Sequence, residues 1–158
     1  MAELRKVFAG IGKSRAFAAV GRALAPADRV LLRISGGRFG VGTAIGLRTM
    51  LLTTIGRRSG EPRQVPLLYV ERAGGYVVLG SNFGGEAHPA WSANLLAQPK
   101  ATMAIRGRTV EVTGRLLAGE ERKAMWDAVA EYWPAYDQYA VRAEHREIRV
   151  FLLEPVSR

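Results

Sequence analysis

No cysteine occurs among the 158 residues, which excludes disulfides, thiolate nucleophiles and cysteine-ligated zinc or iron–sulfur centres. Histidine is nearly as scarce. His88 and His145 are the only two and lie far apart, so no histidine-rich metal site is expected. No run approaches the roughly 18 apolar residues that a spanning helix needs. The stretch up to Pro26 is interrupted by Arg5, Lys6, Lys13, Arg15 and Arg22, so it lacks a secretory apolar core and a cytoplasmic protein is expected. Acids are also short, 14 against 23 Lys and Arg, for a formal charge of +9. What remains is ordinary: 48% apolar and 23% charged residues, enough for one domain with its own core.

The positive charge is unevenly placed. Residues 1–40 carry eight Lys/Arg and two acids, residues 41–100 six and three, and residues 101–158 nine of each. The field therefore belongs to an N-terminal arm and to the first part of the core. Such a field recruits anions: nucleic acid, anionic lipid, or small phosphorylated or carboxylated molecules. Plain solubility is the alternative explanation.

Residues 3–34 read as helical, with a break near Pro26. Leu4, Val7, Phe8 and Ile11 share one apolar face, with Arg5, Lys6 and Lys13 off it. A basic amphipathic helix of this kind can lie on an anionic membrane, or pack on its own domain or on a second subunit. Gly36, Gly37, Gly40 and Gly42 then punctuate a linker. Thr49–Ile55, Val65–Arg72 and Tyr76–Ser81 read as strands, the last two joined at Ala73-Gly74-Gly75. A short helix is expected over Pro89–Ala97, a strand pair over Ala101–Ile105 and Thr109–Leu116, a helix over Glu120–Trp133 and a last strand over Ile148–Leu153. Long βαβ crossovers are missing. The pattern fits an α+β, mainly β fold: a small barrel of about six antiparallel strands with appended helices. The expected division is a basic helical extension over 1–40 and a barrel over 41–158.

Three glycine motifs do not fit the sites they suggest. Gly10-Ile11-Gly12-Lys13-Ser14 ends like a phosphate-binding loop, but the earlier glycine is replaced by Val7 and no strand precedes it. Gly40-Val41-Gly42 lacks the third glycine of a dinucleotide fingerprint, because position 45 is Ile. In Gly80-Ser81-Asn82-Phe83-Gly84 the serine sits one place early for a nucleophile elbow.

The most informative segment is Ile55-Gly56-Arg57-Arg58-Ser59-Gly60-Glu61-Pro62-Arg63, between two apolar strands. Arg57, Arg58 and Arg63 offer forked donors suited to phosphate and carboxylate, and the glycines let backbone N–H groups approach a ligand. An exposed basic hairpin is the bland alternative. A nucleic-acid module is another, although stacking aromatics are absent here. A second segment runs from Gly80, Ser81, Asn82 and Phe83 to a helix where Trp91 and Asn94 share a face. A third, Trp133-Pro134-Ala135-Tyr136-Asp137-Gln138-Tyr139, is either a core aromatic cluster or the floor of a pocket whose phenols orient a substrate or give it a proton.

Taken together, LLTTIGRRSGEPRQVPL, GSNFGGEAHPAWSANLLAQPKATMAIRGR, YWPAYDQY and the ending VFLLEP resemble the actinobacterial deazaflavin-dependent nitroreductases, also described as F420H2-dependent quinone reductases. The likeness covers about Met50 to Pro155. It implies an FMN-binding-like split β-barrel, often dimeric, with coenzyme F420 (8-hydroxy-5-deazaflavin) as cofactor and no metal. It further implies that Arg57, Arg58, Ser59 and Arg63 hold the anionic tail of F420. Val65, Pro66, Leu67, Gly80, Ser81, Asn82, Phe83, Trp91 and Asn94 would line the ring. The acceptor would lie near Tyr136 and Tyr139, with these or Ser81 as proton source. The expected chemistry is hydride transfer to a quinone, nitroaromatic or activated alkene, with peripheral membrane contact through residues 3–34 and no nucleic acid as partner. An FMN flavoprotein and a non-catalytic deazaflavin carrier are the rival readings. The chain departs from relatives in having Asn82-Phe83 where they carry Lys-Gly, Val65 and Leu68 where they often carry Asn and Tyr, and Trp133 where they carry Tyr.

Overall fold

The computed structural model describes residues 2–157. The side chains of Leu4 and Arg5, named above for the first helix, lie outside the described set. Two helices open the chain, α1 (Ala2–Ile11) and α2 (Arg15–Ile34). The break expected at Pro26 falls instead at Gly12–Ser14. There the Ser14 hydroxyl accepts the Phe17 N–H at 3.0 Å and caps α2. Pro26 stays inside α2, on its exposed side.

Seven strands follow, one more than expected: β1 (Thr49–Ile55), β2 (Pro62–Leu68), β3 (Val70–Arg72), β4 (Gly75–Leu79), β5 (Lys100–Ile105), β6 (Arg108–Leu116) and β7 (Val150–Pro155). The run read as one strand over Val65–Arg72 divides at Tyr69, whose N–H bonds to Arg48 O at 3.0 Å. Its first half pairs with β1 and its second with β4, at opposite ends of one curled antiparallel sheet ordered β2-β1-β5-β6-β7-β4-β3. This is the expected split-barrel architecture. Two tight turns close hairpins as the sequence suggested. Ala73-Gly74 and Arg106-Gly107 both have positive φ and link the register pairs Arg72↔Gly75 and Ile105↔Arg108. β2 contains Pro62 and Pro66, which its position at the sheet edge tolerates.

Alternate residues of β4 and β7 enter two cores. Val78, Phe151 and Leu153 join Met50, Leu52, Met103, Ile105 and Val112 inside the barrel, around Trp91 and Leu95 of α4 (Ala90–Ala97). Val77, Leu79, Val150 and Leu152 face a second core. It is built from Val129 of α5 (Gly119–Tyr132), Trp133, and Tyr136 and Tyr139 of α6 (Ala135–Arg142). Both strands are thus buried on both faces, which explains their unbroken apolar runs.

The glycines after α2 are not a free linker. Gly36 and Gly37 accept from Gly107 N at 2.8 Å and Arg106 N at 3.2 Å, and a short helix α3 (Val41–Ala44) follows. α2 consequently lies across β2 and β1. Phe17 packs 6.1 Å from the Trp133 ring, and a Cβ on Gly12 would come 2.5 Å from Trp133 Cζ2. The arm is therefore built onto the barrel, and it forms one wall of what lies beneath.

Candidate functional site: an arginine cleft opening into an apolar cavity

The loop between β1 and β2 closes on itself. Gly56 N–H donates to Glu61 O at 2.8 Å, Gly60 N–H to Gly56 O at 2.8 Å, and Gly60 takes a φ of 73°. Asn94 fastens the loop from below. Its buried Oδ1 accepts from Arg57 N–H at 3.1 Å and from the Arg57 guanidinium at 3.3 Å, while its amide donates to Thr54 Oγ1 at 3.3 Å. The amide that the sequence offered to a ligand is thus already engaged with the loop. Arg58 and Arg63 project with Arg57 into a cleft of about 650 Å³ that Ser59, Gln64, Asn82, His88 and Trp91 also line. No Asp or Glu lines the cleft, and among the described residues none of its three arginines is ion-paired. Three unpaired guanidiniums facing one hollow make an anion site.

Val65, Asn82, Pro89 and Trp91 border this cleft and also a second cavity of about 380 Å³. That cavity is apolar in character, bounded by Val65, Pro66 and Leu67 of β2, Phe17 and Leu24 of α2, and Trp133 and Tyr136. Gly80, buried at the end of β4, starts the glycine-rich turn, and Ser81 faces the cavity. The turn is strained: Asn82, Phe83 and Gly84 have φ of 46°, 53° and 77°. A bulky residue such as Phe83 costs about 1–2 kcal/mol in that conformation. The cost is carried by contacts from outside the turn. Arg22 bonds to Asn82 O at 2.9 Å and lies 5.6 Å from the Phe83 ring centroid, and Tyr139 meets that ring edge-on at 5.9 Å. Phe83 consequently borders the apolar cavity and is absent from the arginine cleft.

Sequence reading missed Arg146. Its guanidinium donates to Gly80 O, Ser81 O and Gly85 O at 2.9–3.2 Å, and sits 3.2 Å from His88 Nδ1. It holds the turn in place from a segment with no motif of its own. Burial first, then Arg149, Arg146 and His145, keep His88 below the ordinary imidazole range, so it stands neutral at the rim. Asp28 and Arg22 of α2 were missed as well. The only signal was that the basic first forty residues contain two acids.

The phenols expected as proton sources are not equivalent. Tyr139 OH donates to Gly12 O at 3.1 Å, so its proton holds the α1–α2 joint. Tyr136 is buried and its hydroxyl has no protein partner among the described residues. Burial pushes its pKa well above the usual phenol range, and burial also raises that of Tyr139 against an opposing hydrogen bond from Trp133. Both are neutral donors and weak acids near neutrality.

A split barrel with an arginine cleft beside an apolar cavity is an arrangement suited to an acidic tail and a flat ring. The model of the F420H(2)-dependent quinone reductases matches residues 27–155, and the chain belongs to that family, whose cofactor is coenzyme F420. A candidate F420H(2)-dependent quinone reductase of Mycobacterium tuberculosis, Rv3178, is 28% identical over 118 residues, covering 75% of this chain and 98% of that one. The solved structure of the F420-H2 dependent reductase FDR-A is 36% identical with a TM-score of 0.62, over 67% of this chain and 93% of its own. A structure described as a domain-swapped dimer is 34% identical with a TM-score of 0.63, over 82% and 94%. The residues present fit the cofactor. A carboxylate-free arginine cleft suits its anionic tail, and the adjoining slot along β2 suits a planar ring.

Proposed function

We propose that this protein reduces a quinone-like acceptor at the expense of reduced coenzyme F420. The observation that carries the reading is a cleft whose only charged side chains are cationic, set beside an apolar cavity with which it shares Val65, Asn82, Pro89 and Trp91 as wall. When bound, the cofactor supplies a hydride. Arg57, Arg58, Ser59 and Arg63 bind the tail. Val65, Pro66, Leu67 and Trp91 flank the ring, with Gly80 and Asn82 close to it through the backbone. Tyr136 and Ser81 orient the acceptor by hydrogen bonds, and α2 excludes water. Nitroaromatics and activated alkenes are secondary acceptors of the same slot. Spectroscopic titration with oxidised coenzyme F420 tests the reading: tight binding is expected, with FMN much weaker. Preferential binding of FMN overturns it.

We further place α2 at a lipid surface. Val20, Leu24, Leu31 and Ile34 are all exposed and share one helix face at spacings of four, seven and three, with Arg29 and Arg33 beside them. No helix among the described residues is long and apolar enough to cross a membrane, so the contact is peripheral. Leu24 also borders the cavity, which gives an apolar acceptor a short path from lipid. The protein should float with phosphatidylglycerol vesicles, and the double substitution V20E/I34E should abolish flotation without unfolding it. Equal flotation of both proteins removes the membrane contact.

A further inference from the structure

Resting on the quinone-reductase reading, we propose that Asp28 of α2 is the proton donor to the acceptor. Among the described residues, Asp28 is the single acidic residue bordering the apolar cavity. Its Oδ1 accepts the Val41 N–H at 2.7 Å, which fixes the carboxyl in place. Gly40 permits this approach, because a Cβ there would overlap Oδ1. No cation pairs with the carboxyl, and among the described residues Oδ2 has no partner. Burial, outweighing the bond from Val41, raises its pKa from the ordinary aspartate value.

The other groups around the cavity are worse acids. Arg22 does not release a proton, and its guanidinium is engaged with Asn82 O and the Phe83 ring. From α6, Tyr139 bonds to Gly12 and Tyr136 is raised far above neutrality. α3 and the strands contribute Val41, Gly42, Ile45, Thr49 and residues 65–68, none of which titrates. A carboxyl anchored on the cavity wall, without a cation beside it and with its pKa shifted upward by burial, is the best-placed general acid there.

The step balances as follows. The bound cofactor would supply the hydride that carries two electrons to the quinone. The Asp28 O–H bond breaks, an O–H bond forms on the acceptor oxygen, and the electron pair stays on the carboxylate. Solvent returns a proton to Asp28 and takes up the one that the oxidised ring releases, so no proton is consumed overall. Asn at this position would keep the Val41 bond and avoid burying a charge. An ionisable residue there therefore costs stability, and that cost grows as pH rises through its raised pKa.

D28N separates proton donation from architecture, since the amide oxygen can still accept from Val41. Affinity for oxidised F420 and thermal stability should stay at or above wild type. Turnover of menadione should fall roughly 10²- to 10⁴-fold. Turnover of N-methylphenazinium, which takes a hydride and needs no proton, should remain. With menadione the wild-type rate should decline as pH rises through the Asp28 pKa, and D28N should lose that limb. The free wild-type protein should show the infrared carbonyl stretch of a protonated carboxyl where ordinary carboxyls are ionised, and D28N should lack it. Unchanged menadione turnover in D28N, equal loss with both acceptors, or no such infrared band overturns the assignment. A wild-type protein that reduces N-methylphenazinium but no quinone overturns the quinone reading and this one together.

Discussion

The double substitution R58A/R63A should weaken binding of oxidised coenzyme F420 by about 10²- to 10³-fold. Each guanidinium faces the cleft without a competing carboxylate, so none of its charge is neutralised in the free protein. A hydrogen bond to a charged group contributes about 1.5–3 kcal/mol. Both residues are exposed, so solvent screening places each near the low end, about tenfold or slightly more in affinity. Arg57 is left intact because its backbone and side chain also engage Asn94, and its loss would loosen the loop itself. Two controls fix the interpretation. The wild-type affinity should fall steeply with salt, and the variant, which keeps Arg57, should show a clearly shallower dependence. A deazaflavin chromophore lacking the phosphate and glutamate tail should bind both proteins equally. If the variant loses the tail-less chromophore as strongly as the whole cofactor, the arginines do not hold the tail.

The arginine loop was legible because its chemistry is local. Arg57, Arg58, Ser59 and Arg63 lie within seven residues, framed by glycines, between runs that alternate as strands do. β1 occupies the residues expected of it, Thr49–Ile55, because a buried central strand writes its identity into every side chain. Other features depend on parts of the chain that meet only in the fold. The division at Tyr69 cannot be seen in Val65–Arg72, since apolar residues continue while the pairing partner changes from β1 to β4. α6 reads in the sequence as an aromatic segment, because Tyr136 and Tyr139 signal a pocket as strongly as a helix face. Arg146 reaches Gly80, Ser81 and Gly85 across more than sixty positions, and nothing near it marks that role. Pro26 misled because it occupies an exposed turn of a helix whose other side is held by the barrel.

Gly37 shows how far the site depends on such a distant contact. Its φ is +83°, and a Cβ there would stand 2.5 Å from the Ala104 carbonyl carbon and 2.6 Å from Ile105 N. Both neighbours are backbone atoms of β5, a central strand that cannot yield without breaking its pairing with β1 and β6. G37A should therefore carry the left-handed cost of about 1–2 kcal/mol and an overpacking cost of about 1–3 kcal/mol. The sum, about 3 kcal/mol, corresponds to a fall in Tm of roughly 6–12 °C for a chain of this size. Gly74 provides the comparison. Its φ is +75° and a Cβ there would meet nothing within 4 Å, so G74A should pay the conformational part alone and lose roughly 2–8 °C, less than G37A. Equal shifts in the two variants would mean that the close approach to β5 contributes nothing. The larger effect should also reach the cavity. Gly36 and Gly37 tie the end of α2 to the β5–β6 turn, and α2 supplies Phe17, Leu24 and Asp28 to the cavity wall. Hydrogen exchange across residues 15–34 should accelerate in G37A and remain unchanged in G74A. The acceptor slot should loosen, while the tail cleft, built on the β1–β2 loop and Asn94, keeps its affinity for F420.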